Sequence, residues 1–179
     1  NWAHLRTKRE CPVCKQNQFK QNLNIIKPKP KGENRILALD QASYTTGYSI
    51  FDGNQLTTYG TFVVEGEDEG KRFHEIRIWL ISMIDNWKPD IVGIEGIQFQ
   101  QNIGVTTFQT LARLQGILMD LCIELNIPYI ICPTNTWRAY CGVKGKARAD
   151  RKKSMQLLVK EYDVSVSDDI ADAVGIGKY

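Results

Sequence analysis

No apolar run in this chain approaches the roughly 20 residues needed to cross a bilayer, and its polar, basic N-terminus lacks the apolar core of a signal peptide. A membrane-embedded role is therefore excluded. Histidine is scarce, with only His4 and His74. Cysteine is sparse and odd in number, and Cys122, Cys132 and Cys141 lie in or beside apolar segments, which excludes a disulfide framework and suits reduced thiols in a cytoplasm. Internal repeats and low-complexity tracts are absent. The first residue is Asn1 rather than Met, so the natural chain is expected to begin further upstream.

What is present describes a globular protein. A hydrophobic fraction of 42% and a charged fraction of 24% are ordinary for one, and 179 residues suffice for one domain of about 140 plus a small appendage. The net charge of +3 hides an asymmetry. Residues 1 to 35 hold 9 Lys/Arg against 2 Asp/Glu, whereas the remainder holds 14 against 18. A second basic concentration, Arg138, Lys144, Lys146, Arg148, Arg151, Lys152 and Lys153, faces the single acid Asp150. Two basic clusters flanking an acidic body suit a polyanionic ligand such as nucleic acid.

The spacer Lys27-Pro28-Lys29-Pro30-Lys31-Gly32 can neither continue a helix nor pair within a sheet, and marks a boundary between residues 1–34 and a main domain over 35–179. Arg35 to Leu39 reads as a buried strand ending on Asp40, Thr46 to Phe51 as a second strand, Asp52-Gly53-Asn54 as a hairpin turn, and Leu56 to Val64 as a third strand. An amphipathic helix follows from about Gly70 to Trp87, stopped by Lys88-Pro89. Asp90 to Ile94 is a short β-rich strand ending on Glu95. Then come a helix from Thr106 to Leu125, a strand from Ile127 to Cys132, a helical turn from Thr136 to Tyr140, and helices from Arg151 to Tyr162 and from Asp168 to about Lys178. This order predicts an α/β fold with a mixed sheet, three antiparallel strands joined to parallel ones and flanked by helices.

Asp40 and Glu95 both close strands, at the sheet edge where open α/β folds bind ligands. Asp169 and Asp172 stand three apart on one face of a helix whose other residues are apolar, so their mutual repulsion calls for a compensating positive charge. Four oxygen donors without a histidine pair suit Mg²⁺ or Mn²⁺ better than zinc. Two such ions can clamp the attacking and leaving oxygens of a phosphoryl displacement, so the expected chemistry is phosphodiester hydrolysis.

These residues carry a resemblance. Ile36 to Asp40 with Thr46-Gly47-Tyr48-Ser49, then Ile94-Glu95, then Asp169-Ile170-Ala171-Asp172-Ala173 resemble, in the same order, the RuvC-type Holliday-junction resolvases of the RNase H-like superfamily, particularly phage-borne and Gram-positive relatives. The resemblance implies an RNase H-like fold and a Mg²⁺-dependent endodeoxyribonuclease acting on branched DNA as a homodimer, with Asp40, Glu95, Asp169 and Asp172 holding two Mg²⁺ ions. By position, Lys153 or its neighbour Lys152 matches the family's active-site lysine, and the loop Gly96 to Ile103, with Gln98, Phe99 and Gln100, matches the segment that enters the junction. Arg138, Lys144, Lys146, Arg148, Arg151 and Lys152 are the further DNA-contact candidates. This chain departs from the family in having Gln41-Ala42 where many members carry Pro-Gly, and Phe99 one residue later than the pattern.

Cys11-Pro12-Val13-Cys14 has the shape of half a zinc site, with His4 as a third candidate ligand; the alternative is a basic arm without metal. Two other readings compete with the nuclease. Actin-like ATPases and sugar kinases share the Asp-strand and Thr-Gly hairpin but need a duplicated domain and glycine-rich phosphate loops, both missing here. A non-catalytic DNA-binding module would need only the basic clusters, and the four intact acids argue against it. The helix from Thr106 to Leu125 carries more apolar surface than one sheet face needs, including Phe108, Leu111, Ile117 and Met119, and is the candidate for self-association.

Overall fold

The computed structural model describes residues 34–98, 104–145, 147–162 and 166–179. Its elements run β1 (Arg35–Asp40), β2 (Thr45–Asp52), β3 (Gln55–Val63), α1 (Glu69–Trp87), β4 (Ile91–Gly96), α2 (Val105–Glu124), β5 (Tyr129–Pro133), α3 (Thr134–Tyr140), α4 (Arg148–Val159), a 3-10 turn (Lys160–Tyr162) and α5 (Asp168–Lys178). The sheet order is β3-β2-β1-β4-β5, with β1 to β3 antiparallel and β4 and β5 joining parallel to β1. This is the mixed sheet the element order predicts. The small differences are local: Asp52 pairs with Gln55 and so belongs to the strand, leaving Gly53-Asn54 as the turn with Gly53 at positive φ, and the last turn before residue 162 tightens to 3-10 geometry.

Period-two alternation assigns the two faces of the sheet. Leu37, Leu39, Ile50, Val92 and Ile94 pack against α1 and α2 through Phe73, Ile76, Leu80, Met83, Leu114, Leu118 and Leu121. Each fully buried side chain of this size contributes about 1.5 to 3 kcal/mol. Asp68 caps α1 by accepting from the Lys71 N–H, and Lys88 ends it in the left-handed region just before Pro89. On α2, Leu114, Leu118, Leu121 and Cys122 are consumed by the chain's own core and Ile117 and Met119 pack against it, so most of the apolar stripe is internal.

The opposite face carries Ala38 and Phe51 against Trp137, Met155, Val159, Ala171, Val174 and Ile176. Here small residues meet small residues. A Cβ on Gly47 would stand 2.2 Å from the main-chain oxygen of Asp169, and one on Gly177 would stand 2.6 Å from the Phe51 ring. Ser49 Oγ donates to the Ala173 carbonyl at 2.8 Å. Helix α5 therefore lies almost on the sheet backbone, with its first turn over Gly47, the residue that pairs with Asp40.

At the other end of β1, buried Arg35 donates to Asp52 at 2.7 and 3.0 Å and to the Trp87 carbonyl at 2.6 Å, tying β1, β2 and the end of α1 together.

Candidate active site

The parallel register of β1 and β4 aligns Leu39 with Ile94, so the residues that follow, Asp40 and Glu95, emerge side by side at one edge of the sheet. Burial, followed by the charges of Glu95 and Asp172, pushes the Asp40 carboxyl well above the usual carboxylate range. The close approach of α5 at Gly47 delivers Asp172 and Asp169 to the same place, and both act on Asp40. The Asp172 carboxyl is itself pushed up to about 6, chiefly by burial, against the pull of Arg138.

Several neighbours that sequence reasoning did not single out hold these acids. Glu95 Oε1 accepts from Thr134 Oγ1 at 3.1 Å and from the indole Nε1 of fully buried Trp137 at 3.2 Å. Hydrogen bonds to a charged partner are worth about 1.5 to 3 kcal/mol each. Gln41, 5% exposed, reaches across to the main chain of Glu95. Arg138, a DNA-contact candidate, donates from Nη2 to Asp172 Oδ2 at 2.9 Å and lies over the Trp137 ring, while its buried Nε has no hydrogen-bond partner among the described residues. Beside Glu95 opens a cleft of about 140 Å³, bordered by Gln41, Gln98, Thr134 and Arg138 and by the apolar Phe108 and Leu111.

The remaining candidates scatter. Lys152 pairs with Asp168 at the start of α5, whereas Lys153 is exposed. Lys144 is exposed and its N–H donates to Ser154 Oγ at 3.0 Å; Arg151 is half-buried on α4. Arg148 opens α4. Cys11, Cys14, His4, Phe99, Gln100 and Lys146 lie outside the described residues.

Among the described residues no three His, Cys, Asp or Glu side chains form a ready-made metal cage. Part of the negative charge is offset by the ion pair of Arg138 with Asp172. A donor set made entirely of carboxylates, in which burial first and neighbouring acids second raise Asp40 and Asp172, fits a hard divalent cation.

A family model described as crossover junction endodeoxyribonuclease RuvC matches residues 36–177. The chain belongs to the RuvC family. A RuvC of Brevibacillus brevis is 30% identical over 148 residues, covering 79% of this chain and 88% of the relative, and one of Petrotoga mobilis is 31% identical over 146 residues, covering 78% and 88%. Among solved structures, Thermus thermophilus RuvC in complex with a Holliday junction substrate superposes with a TM-score of 0.65 at 11% identity, over 81% of this chain and 90% of that one. The yeast mitochondrial Holliday junction resolvase Ydc2 gives 0.56 at 14% identity, over 84% and 78%. At such identities the structures establish the fold alone, the RNase H-like architecture that the resemblance implied. The matched segment contains all four acids, and the described part of this RuvC chain has no helix long and apolar enough to cross a membrane.

Proposed function

We propose that this chain is a structure-selective DNA endonuclease that resolves four-way junctions by hydrolysing phosphodiester bonds at the Asp40, Glu95, Asp169 and Asp172 cluster. The observation that carries the reading is that Asp40 and Glu95 stand at the ends of two adjacent parallel strands with Asp169 and Asp172 of α5 brought beside them, in a chain of the RuvC family. Two Mg²⁺ ions, or Mn²⁺ in their place, would be held by the four acids and would supply an activated water and charge neutralisation at the phosphate. The chain's own groups do the rest. Trp137 and Thr134 both donate to Oε1 of Glu95 and so hold its carboxylate beside the cleft. Arg138 pairs with Asp172 and borders the cleft beside Glu95, so its guanidinium is a candidate donor to a phosphate oxygen of the DNA. The exposed Lys144 and Lys153, with Lys152 and Arg151 beside them, provide a basic approach for the DNA backbone. The enzyme acts as a homodimer, one protomer for each of two opposed strands; the half-buried apolar residues of α2, Phe108 and Leu111, are the candidate contact.

The deciding experiment compares a synthetic four-way junction with plain duplex in Mg²⁺. Paired nicks in the junction alone are expected, and Asp40→Asn, Glu95→Gln and Asp172→Asn should each abolish nicking while junction binding persists. Turnover retained in two of the three, or junction binding without any cleavage by the wild-type chain, refutes the assignment.

A further inference from the structure

We infer that Gln41 is a positioning residue whose side-chain amide serves as an extra peptide unit in the β1 and β4 ladder, locking Asp40 and Glu95 at a fixed separation. The proposal rests on the reading of these acids as the ligands of a divalent cation. The register between the two strands is recorded up to Leu39 and Ile94, one step short of the acids. Beyond it, Gln41 Oε1 accepts from the Glu95 N–H at 3.1 Å, and Gln41 Nε2 donates to the Glu95 carbonyl at 2.7 Å. An amide thus offers Glu95 the acceptor and donor that a neighbouring strand's main chain would offer.

The arrangement is built rather than incidental. Gln41 is 5% exposed, so its amide is removed from water and committed to Glu95. Because Gln41 directly follows Asp40, the clamp ties the main chain of one acid to that of the other. Thr46 Oγ1 donates to the Ala42 carbonyl at 3.2 Å and secures the turn that carries Gln41. Glu95 is then held twice: at its main chain by Gln41, and at its carboxylate by Trp137 and Thr134. Two like-charged strand ends without such a tie would separate, and a divalent cation needs its ligands within a narrow span. No other side chain supplies this bridge: Glu lacks the donor, Lys lacks the acceptor, and Asn is one methylene too short.

The test is Gln41→Met, which keeps the length and burial but makes neither hydrogen bond. Three readouts are taken: hydrogen exchange at the Glu95 amide, calorimetric titration with Mn²⁺ in the absence of DNA, and junction nicking. The Glu95 amide is expected to lose protection, Mn²⁺ affinity to fall about tenfold or more, and kcat to drop with KM for the junction unchanged. Should Gln41→Met fail to fold, Gln41→Asn is read in the same way. Mn²⁺ affinity within about twofold of wild type, with or without a lower melting temperature, overturns the proposal, as does unchanged protection of the Glu95 amide. The exchange and metal readouts need no catalysis, so a wild-type chain that failed to nick junctions would refute the nuclease reading and leave these two to decide on the clamp.

Discussion

In the metal-free chain the charge on Asp172 opposes folding. Its carboxyl is raised from an ordinary 3.8 to about 6, by burial first, in spite of Arg138, and with Glu95 adding to the rise. A change of that size corresponds to about 3 kcal/mol against the ionised folded state. The folded chain therefore binds this proton more tightly than the unfolded chain does. Its contribution is neutral below about pH 4, turns increasingly unfavourable as the pH climbs through about 6, and is level above that. Asp40 is shifted in the same direction by burial and by Glu95, and steepens the loss. Asp172→Asn removes the charge with little change of shape. In EDTA at about pH 8 the variant should be more stable than wild type by up to about 3 kcal/mol, or about 6 to 12 °C in melting temperature for a chain of this size. At about pH 4 the two should nearly coincide. Adding Mg²⁺ should narrow the gap, because wild type gains about 2.7 kcal/mol at a hundredfold excess over its dissociation constant while the variant gains less. The assay is thermal or urea unfolding followed by circular dichroism, over a pH series with and without metal. A variant less stable than wild type in EDTA at about pH 8, or a gap that does not change with pH, would refute the reasoning.

Gly47→Ala should destabilise the chain by about 1 to 3 kcal/mol or more and abolish nicking, since the new Cβ would lie 2.2 Å from the Asp169 carbonyl oxygen and the helix must retreat; wild-type urea unfolding would show that α5 does not sit where it is described. Trp137→Phe keeps the buried ring and deletes the N–H to Glu95, so nicking should fall about tenfold or more with junction affinity retained, and an unaltered single-turnover rate would make that hydrogen bond idle. Arg35→Ala breaks a buried ion pair far from the acids and should cost about 3 to 5 kcal/mol of stability, while nicking at temperatures where the variant is folded stays near wild type; a large drop in the folded state would mean that the two ends of β1 are coupled.

What was legible in the sequence was whatever each segment announces by its own composition. Arg35 to Leu39 and Asp90 to Ile94 are apolar runs closed by acids, and their parallel adjacency follows from the crossover through α1, so Asp40 and Glu95 meet as expected. Thr46-Gly47 entered as part of a resemblance, and its physical reason, the backbone of α5 lying on Gly47, needed the packed structure. Part of the apolar excess of α2 is a candidate for self-association, since helical periodicity marks a stripe without naming what covers it; much of that stripe lies in the chain's own core. Least legible were side chains whose task is set by a distant partner. Gln41 stood out only as a departure from the family's Pro-Gly, and its partner lies 54 residues away. Arg138 was one cation among seven, and its role depends on how α3 is rotated. That rotation had a signal: Trp137 is the largest side chain of a short helix, and burying it fixes the direction of the next residue about 100° further round. Trp137 goes inward to Glu95, and the guanidinium that follows it arrives at Asp172, supplying the positive charge that the repulsion between Asp169 and Asp172 had demanded from the start.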